Sequence, residues 1–226
     1  PPDTYGLLRT LCSRNPKNKN EKEIHMEKIL NYFTIEGALG GSQDWFTNVV
    51  MNIGGCAAAT ACDSCIYFAL HQGQKHLYPY DVEHLTKKEY VQFAMKMKPY
   101  IKPRMGGVKK LSMFIDGFSK YLRDVGDTRI SMNGFAGDHT ADEAKALIKK
   151  QIDAGFPIPY LMLKHRNPKY KDFVWHWFLC FGYEEKRDGF FIKVATYGTA
   201  STFVLKDLWN TGYEEKGGLI QYTAAQ

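Results

Sequence analysis

Two side chains of this sequence have the type and setting for nucleophilic chemistry. Cys56 follows Gly54-Gly55 and opens the run CAAATACDSCIYFALHQG, so it stands at the first position of a small-residue helix read from Cys56 to about His71. A thiol attacks as its thiolate, and the unpaired N–H groups and dipole at a helix start favour that charge. The double glycine lets the chain turn sharply and leaves the sulfur uncovered, with backbone N–H groups free to meet an incoming carbonyl oxygen. His176 lies within FVWHWFLCFGY, a segment too apolar to face solvent, and can serve as the base. Each has a plainer reading, Cys56 as a small buried hydrophobe and His176 as a satisfied core histidine. The pairing of nucleophile and base is what favours chemistry.

Other candidates are weaker. The five cysteines, Cys12, Cys56, Cys62, Cys65 and Cys180, form an odd set without regular spacing, which argues for a free thiol over a disulfide framework. Cys62 and Cys65 make a C-x-x-C inside an apolar run, where core packing explains them better than zinc. His71, His76 and His84 do not form H-E-x-x-H, Gly106-Gly107-Val108-Lys109 is not a phosphate loop, and no Gly-x-Ser-x-Gly elbow is present.

The elements that must position Cys56 and His176 follow from periodicity. The polar stretch Arg14 to Glu23 reads as surface, leading into a helix from about Ile24 to Phe33. A glycine-rich loop at Gly37, Gly40 and Gly41 precedes Gln43, and Trp45 to Ile53 is an apolar segment. Apolar residues at three- and four-residue spacing predict helices over Thr86 to Met97 and Gly107 to Val125, joined by a basic loop. After Gly126 a short strand near Arg129 to Met132 precedes a helix opened by the capping box Thr140 to Glu143. Strands then follow at Ile158–Leu163, Phe173–Tyr183, Gly189–Thr196, Ser201–Leu205 and Leu219–Tyr222, antiparallel because their connections are hairpin-length. Period-two alternation puts Trp175, Trp177, Leu179 and Phe181 on one face and His176, Phe178 and Cys180 on the other.

This order, Gln43, then Cys56 on a small-residue helix, then the aromatic-flanked His176, then the turn Thr196-Tyr197-Gly198-Thr199, resembles the papain-like cysteine peptidases. Gly55-Cys56, Gly155 to Leu161 and His176-Trp177 resemble in particular the bacterial branch of bacteriocin-leader peptidases. The resemblance spans about Gln43 to Tyr222. It implies an α+β fold, a helical half of about 24–125 with the Cys helix packed on an antiparallel β-rich half of about 126–226, as one domain. It also implies roles: Cys56 as nucleophile, His176 as base and later acid, and Gln43 as oxyanion donor beside the Cys56 N–H. The family's Asn or Asp, which orients the imidazole through Nδ1, has no counterpart, because Ala195 occupies its place, Thr196 the next and Tyr197 that of the shielding Trp. Thr196 Oγ, a backbone carbonyl, or Asn210 or Asp207 reaching in would then hold His176.

The function so implied is hydrolysis of a peptide or related amide through a thioester on Cys56. Acyl transfer on the same scaffold and a binding module without turnover are the alternatives. No cofactor or metal is expected, and the expected partner is a peptide or protein substrate. Composition fits a folded chain of 226 residues, with 44% apolar and 24% charged residues. The net charge of +6 is dispersed, densest from Lys96 to Lys110, and lacks the interleaved aromatics of a nucleic-acid site. No stretch of the sequence has the length and apolarity of a transmembrane helix. Localisation stays open between secretion after loss of a leader and the cytoplasm.

Overall fold

The computed structural model describes residues 25–104 and 106–225; Cys12 and the Arg14 to Glu23 stretch lie outside them. Nine strands and six α-helices, with three short 3-10 turns, make up the described residues. The larger sheet is antiparallel in every pairing. Its order is β4 (Ile130–Ala136), β9 (Gly218–Ala224), β5 (Ile158–Met162), β6 (His176–Lys186), β7 (Gly189–Thr196) and β8 (Thr199–Val204). The mixed α+β class with an antiparallel sheet is the one the sequence implied.

The first element corrects an expectation. Where a helix was read from Ile24 to Phe33, Met26–Ile29 forms strand β1, paired antiparallel with Tyr183 to Glu185 and Gly182 of β6. The far half of β6 offers an edge beyond the reach of β5, and ladder bonds there outweigh helix propensity. The pairing is reinforced by Glu27 to Lys193 at 2.7 Å and His25 to Glu184 at 2.9 Å. The glycine-rich loop is likewise more regular than expected. Strands β2 (Thr34–Ile35) and β3 (Ala38–Leu39) form a hairpin whose two turn residues, Glu36 and Gly37, both have positive φ, as a type I′ turn requires.

Helix α1 (Val49–Gly54) is capped by Asn48 and is followed at once by α2 (Cys56–His71), which matches the sequence reading to the residue. Helix α2 is buried on nearly every side, as its alanines allow, and packs on β6 and on α3 (Lys87–Met97). Both periodic helices form, the second starting at Leu111 and not at Gly107: α3 buries Tyr90, Phe93, Ala94 and Met97, and α4 (Leu111–Asp124) buries Phe114, Phe118, Tyr121 and Leu122. Helix α5 (Ala141–Asp153) carries the reciprocal Thr140 and Glu143 capping bonds. A short helix α6 (Leu205–Trp209), absent from the sequence reading, follows β8 and buries Trp209. No helix among the described residues is long and apolar enough to cross a membrane.

Candidate active site

Cys56 comes to its place through a crowded corner. Gly55 caps α2 with ordinary negative φ, so its requirement is space: a Cβ there would lie 2.3 Å from the Met51 carbonyl oxygen. With no side chain capping the helix, the first N–H groups stay available to the sulfur and to an incoming oxygen. The sulfur is nonetheless buried, with Cys56 only 8% exposed. Burial pushes the thiol pKa up, and N–H groups of Trp177, Ala57 and Cys56 pull part of that rise back. This corrects the expected acidic thiol: desolvation exceeds the helix-start effect.

Strand β6 delivers His176, and Trp177 fixes the strand. The Trp177 indole donates to the Val108 carbonyl at 2.7 Å and stacks on Phe114 at 4.7 Å between ring centroids. Trp175 does not share the Trp177 face as alternation predicted. It precedes the strand in a left-handed conformation, φ 55°, and is 40% exposed. His176 itself is buried, which lowers its pKa to about 4 and keeps the imidazole neutral at neutral pH.

The residue bonded to the imidazole is Thr196. Its Oγ1 lies 2.7 Å from His176 Nε2, which is the other ring nitrogen from the Nδ1 that the resemblance implied. Asp207 pairs instead with Lys169 at 3.0 Å, and Asn210 is exposed beside a different hollow with Lys206 and Lys216. Tyr197 takes the shielding position: its ring stacks on His176 at 4.6 Å with 3° between the planes. The Tyr197 hydroxyl is 3.4 Å from Nδ1 but approaches over the ring face, where it bonds the in-plane lone pair poorly. Nδ1 therefore remains open for a proton.

Gln43, Cys56, His176 and Thr196 line one cavity of about 20 Å³, so the four residues singled out from sequence come together. The Gln43 amide donates to the Asn52 carbonyl at 3.0 Å, leaving its second N–H. The cavity also holds a residue that sequence reasoning missed. Asp63, two turns along α2 from Cys56, accepts from the Tyr32 and Tyr90 hydroxyls, each at 2.8 Å, and from the Gly41 N–H at 3.2 Å to both carboxylate oxygens. Burial raises its pKa to about 6 against the pull of those donors. Asp63 thereby pins the glycine loop that leads to Gln43. A Cβ on Gly41 would fall 1.8 Å from the Tyr90 ring, so this close approach needs glycine. The available signal was a carboxylate at i+7 from the cysteine, the one acidic residue of the helix.

In front of Cys56 opens a second, wider space, a groove of about 590 Å³ reaching from Gln43, His176 and Tyr197 to α1 and to Arg104, Gly106, Gly107 and Lys109. Cys62, Cys65 and Cys180 are fully buried in the core, and burial raises the pKa of each.

No protein-family model and no curated protein matches the chain. Solved structures that match include the Pseudomonas avirulence protein AvrPphB, 8% identical over 84% of this chain and 98% of that one, with a TM-score of 0.35. At that distance the meaning of the site rests on its own geometry.

Proposed function

We propose that the chain is a papain-like cysteine-dependent hydrolase of peptide or related amide bonds. The observation that carries this reading is the convergence of Cys56, His176, Gln43 and Thr196 on one cavity, with His176 Nε2 held by Thr196. Its placement in the bacteriocin-leader branch rests on the short sequence motifs alone.

The raised thiol and lowered imidazole pKa favour a neutral resting pair over an ion pair. In the proposed reaction His176 Nδ1 takes the thiol proton as Sγ attacks the substrate carbonyl carbon. The oxyanion is met by the Cys56 N–H and the second N–H of Gln43. The imidazolium gives its proton to the departing amine, leaving a thioester on Cys56. Water then attacks the thioester, loses a proton to His176 and releases the acid, while the thiol regains the proton.

The Thr196 hydroxyl and the unlinked thiol and imidazole also favour a second reading, a binding module that has lost turnover. Alkylation separates the two. Iodoacetamide at neutral pH should modify Cys56 ahead of Cys62, Cys65 and Cys180, with the rate falling at least about tenfold in His176→Ala. Slow labelling of Cys56 that ignores His176 would sink the hydrolase reading.

A further inference from the structure

The groove in front of Cys56 has a composition that its neighbours in the core do not explain. Helix α1 is only six residues long and buries Met51, yet it turns Val49, Val50 and Ile53 outward, at 69%, 51% and 77% exposure. Three outward apolar side chains on so short a helix form a patch that water disfavours. Across the groove stand Val174 and Trp175, the latter held in its left-handed backbone by a bond from its N–H to the Leu163 carbonyl at 2.9 Å. A tryptophan kept half in water at a backbone conformation costing about 1–3 kcal/mol is a feature of binding and catalytic sites.

The rim of the groove has one sign of charge. Arg104 and Lys109 line it, both exposed, and no carboxylate does. Neither cation makes an ion pair among the described residues, and Asp44 and Asp172, whose charges add to burial in raising the pKa of groove-lining Tyr197, do not line the groove. The rim is also held in place, because the Val108 carbonyl next to Lys109 accepts from the indole of Trp177, directly after His176. An apolar floor, two unpaired cations and a volume of about 590 Å³ together describe a recess for one large apolar side chain next to an acidic one.

We propose that this groove selects peptide substrates in which a large apolar residue adjoins Asp or Glu close to the bond presented to Cys56. The proposal rests on the hydrolase reading above and names the substrate class for that same site. Val49, Val50, Ile53, Val174 and Trp175 take the apolar side chain out of water, and Arg104 and Lys109 meet the carboxylate. A peptide with a basic residue in the acidic place is rejected by the same two cations.

The test uses the full chain with Cys56→Ala, so that binding is read without turnover. The immobilised protein is exposed to a random library of acetylated octapeptides, and the retained peptides are sequenced. Retained peptides should be enriched in Asp or Glu beside Phe, Leu, Ile or Trp. Affinity for the best of them should drop about tenfold in Arg104→Gln/Lys109→Gln and again in Ile53→Ser, with the charge contribution fading as salt is raised. Enrichment without an acidic residue, enrichment indifferent to the Arg104 and Lys109 changes, or no enrichment overturns the proposal. So would dimerisation of the chain that Ile53→Asp abolishes, or binding of anionic lipid vesicles in preference to peptides, since either assigns the patch another occupant. Failure of the hydrolase reading looks different: the acidic preference appears, while wild-type protein neither cleaves the selected peptides nor labels at Cys56.

Discussion

The space behind Cys56 and the space in front of it share Gln43, Cys56, His176 and Tyr197, yet they are built on opposite plans. The inner cavity is about 20 Å³ and closed by Asp63 and Thr196, whose side chains are held by hydrogen bonds to Tyr32, Tyr90, Gly41 and His176. The outer groove is about 590 Å³, apolar on its floor and cationic at its rim, and its side chains contact little. Tightly bonded groups fix orientation, whereas loosely engaged apolar and charged groups discriminate among partners. On the proposed function the difference separates turnover from selection, and substitutions on the two sides should fall into two classes.

The largest effect is expected from Cys56→Ala, which should remove peptide cleavage by on the order of 10⁴-fold or more while leaving peptide affinity within about twofold. Steady-state rates and a binding isotherm on one preparation check both halves. A large loss of affinity would mean that the two sides are not separable.

Thr196→Val keeps the shape and deletes the hydroxyl beside Nε2. Cleavage should fall about 100-fold with little change in KM, and Thr196→Ser should restore most of it. A loss confined to KM would move Thr196 to the selecting side of the comparison.

Acid and base behaviour sharpens the contrast within the inner cavity. Cleavage should decline as pH falls through about 4, where His176 gains its proton and ceases to be a base. On stability the two buried groups act in opposite directions. The folded pKa of His176 lies below its usual 6.5, so its contribution is present above that pH and is lost as pH falls towards 4. Asp63 is raised from 3.8 to about 6, so its contribution is present below 4 and is lost as pH rises towards 6. Denaturant titrations from pH 4 to 6 should therefore show Asp63→Asn steepening the gain of stability with rising pH, and His176→Ala reversing it.

The smallest expected effect on the fold is that of Ile53→Ser, within about 0.5 kcal/mol by denaturant unfolding, because the side chain is 77% exposed. A destabilisation above about 2 kcal/mol would show that the patch belongs to the core and not to the groove.

Legibility from sequence divides along the same line. Residues that act through local pattern were readable: the Cys56 helix to its ends, the Thr140 to Glu143 cap, the spacing of α3 and α4, and the hairpins of the β-rich half, whereas the alternation failed at Trp175, which precedes its strand. Met26–Ile29 was misread, because its strand depends on an edge supplied by Glu184 and its neighbours more than 150 positions later. Thr196 stood among several candidates, since only tertiary geometry distinguishes it from Asn210 and Asp207. Asp63 and the outward face of α1 were missed for a related reason. The partners of Asp63, Tyr32, Gly41 and Tyr90, are scattered in sequence, and Val49, Val50 and Ile53 read only as part of an apolar segment.

One bond pattern carries a consequence in time. The Gly198 N–H donates to the Gly41 carbonyl at 3.1 Å and the Leu39 N–H to the Gly198 carbonyl at 2.8 Å, so the turn after Thr196 and Tyr197 is stitched to the loop before Gln43. During synthesis Cys56 and Gln43 leave the ribosome well over a hundred residues before His176 and Thr196. Until the last strands arrive, the thiol lacks its neighbour His176 and the glycine loop lacks this anchor. On the proposed function, a nascent or truncated chain would be harmless to its surroundings, and reactivity would switch on only when the final third of the molecule closes over the first.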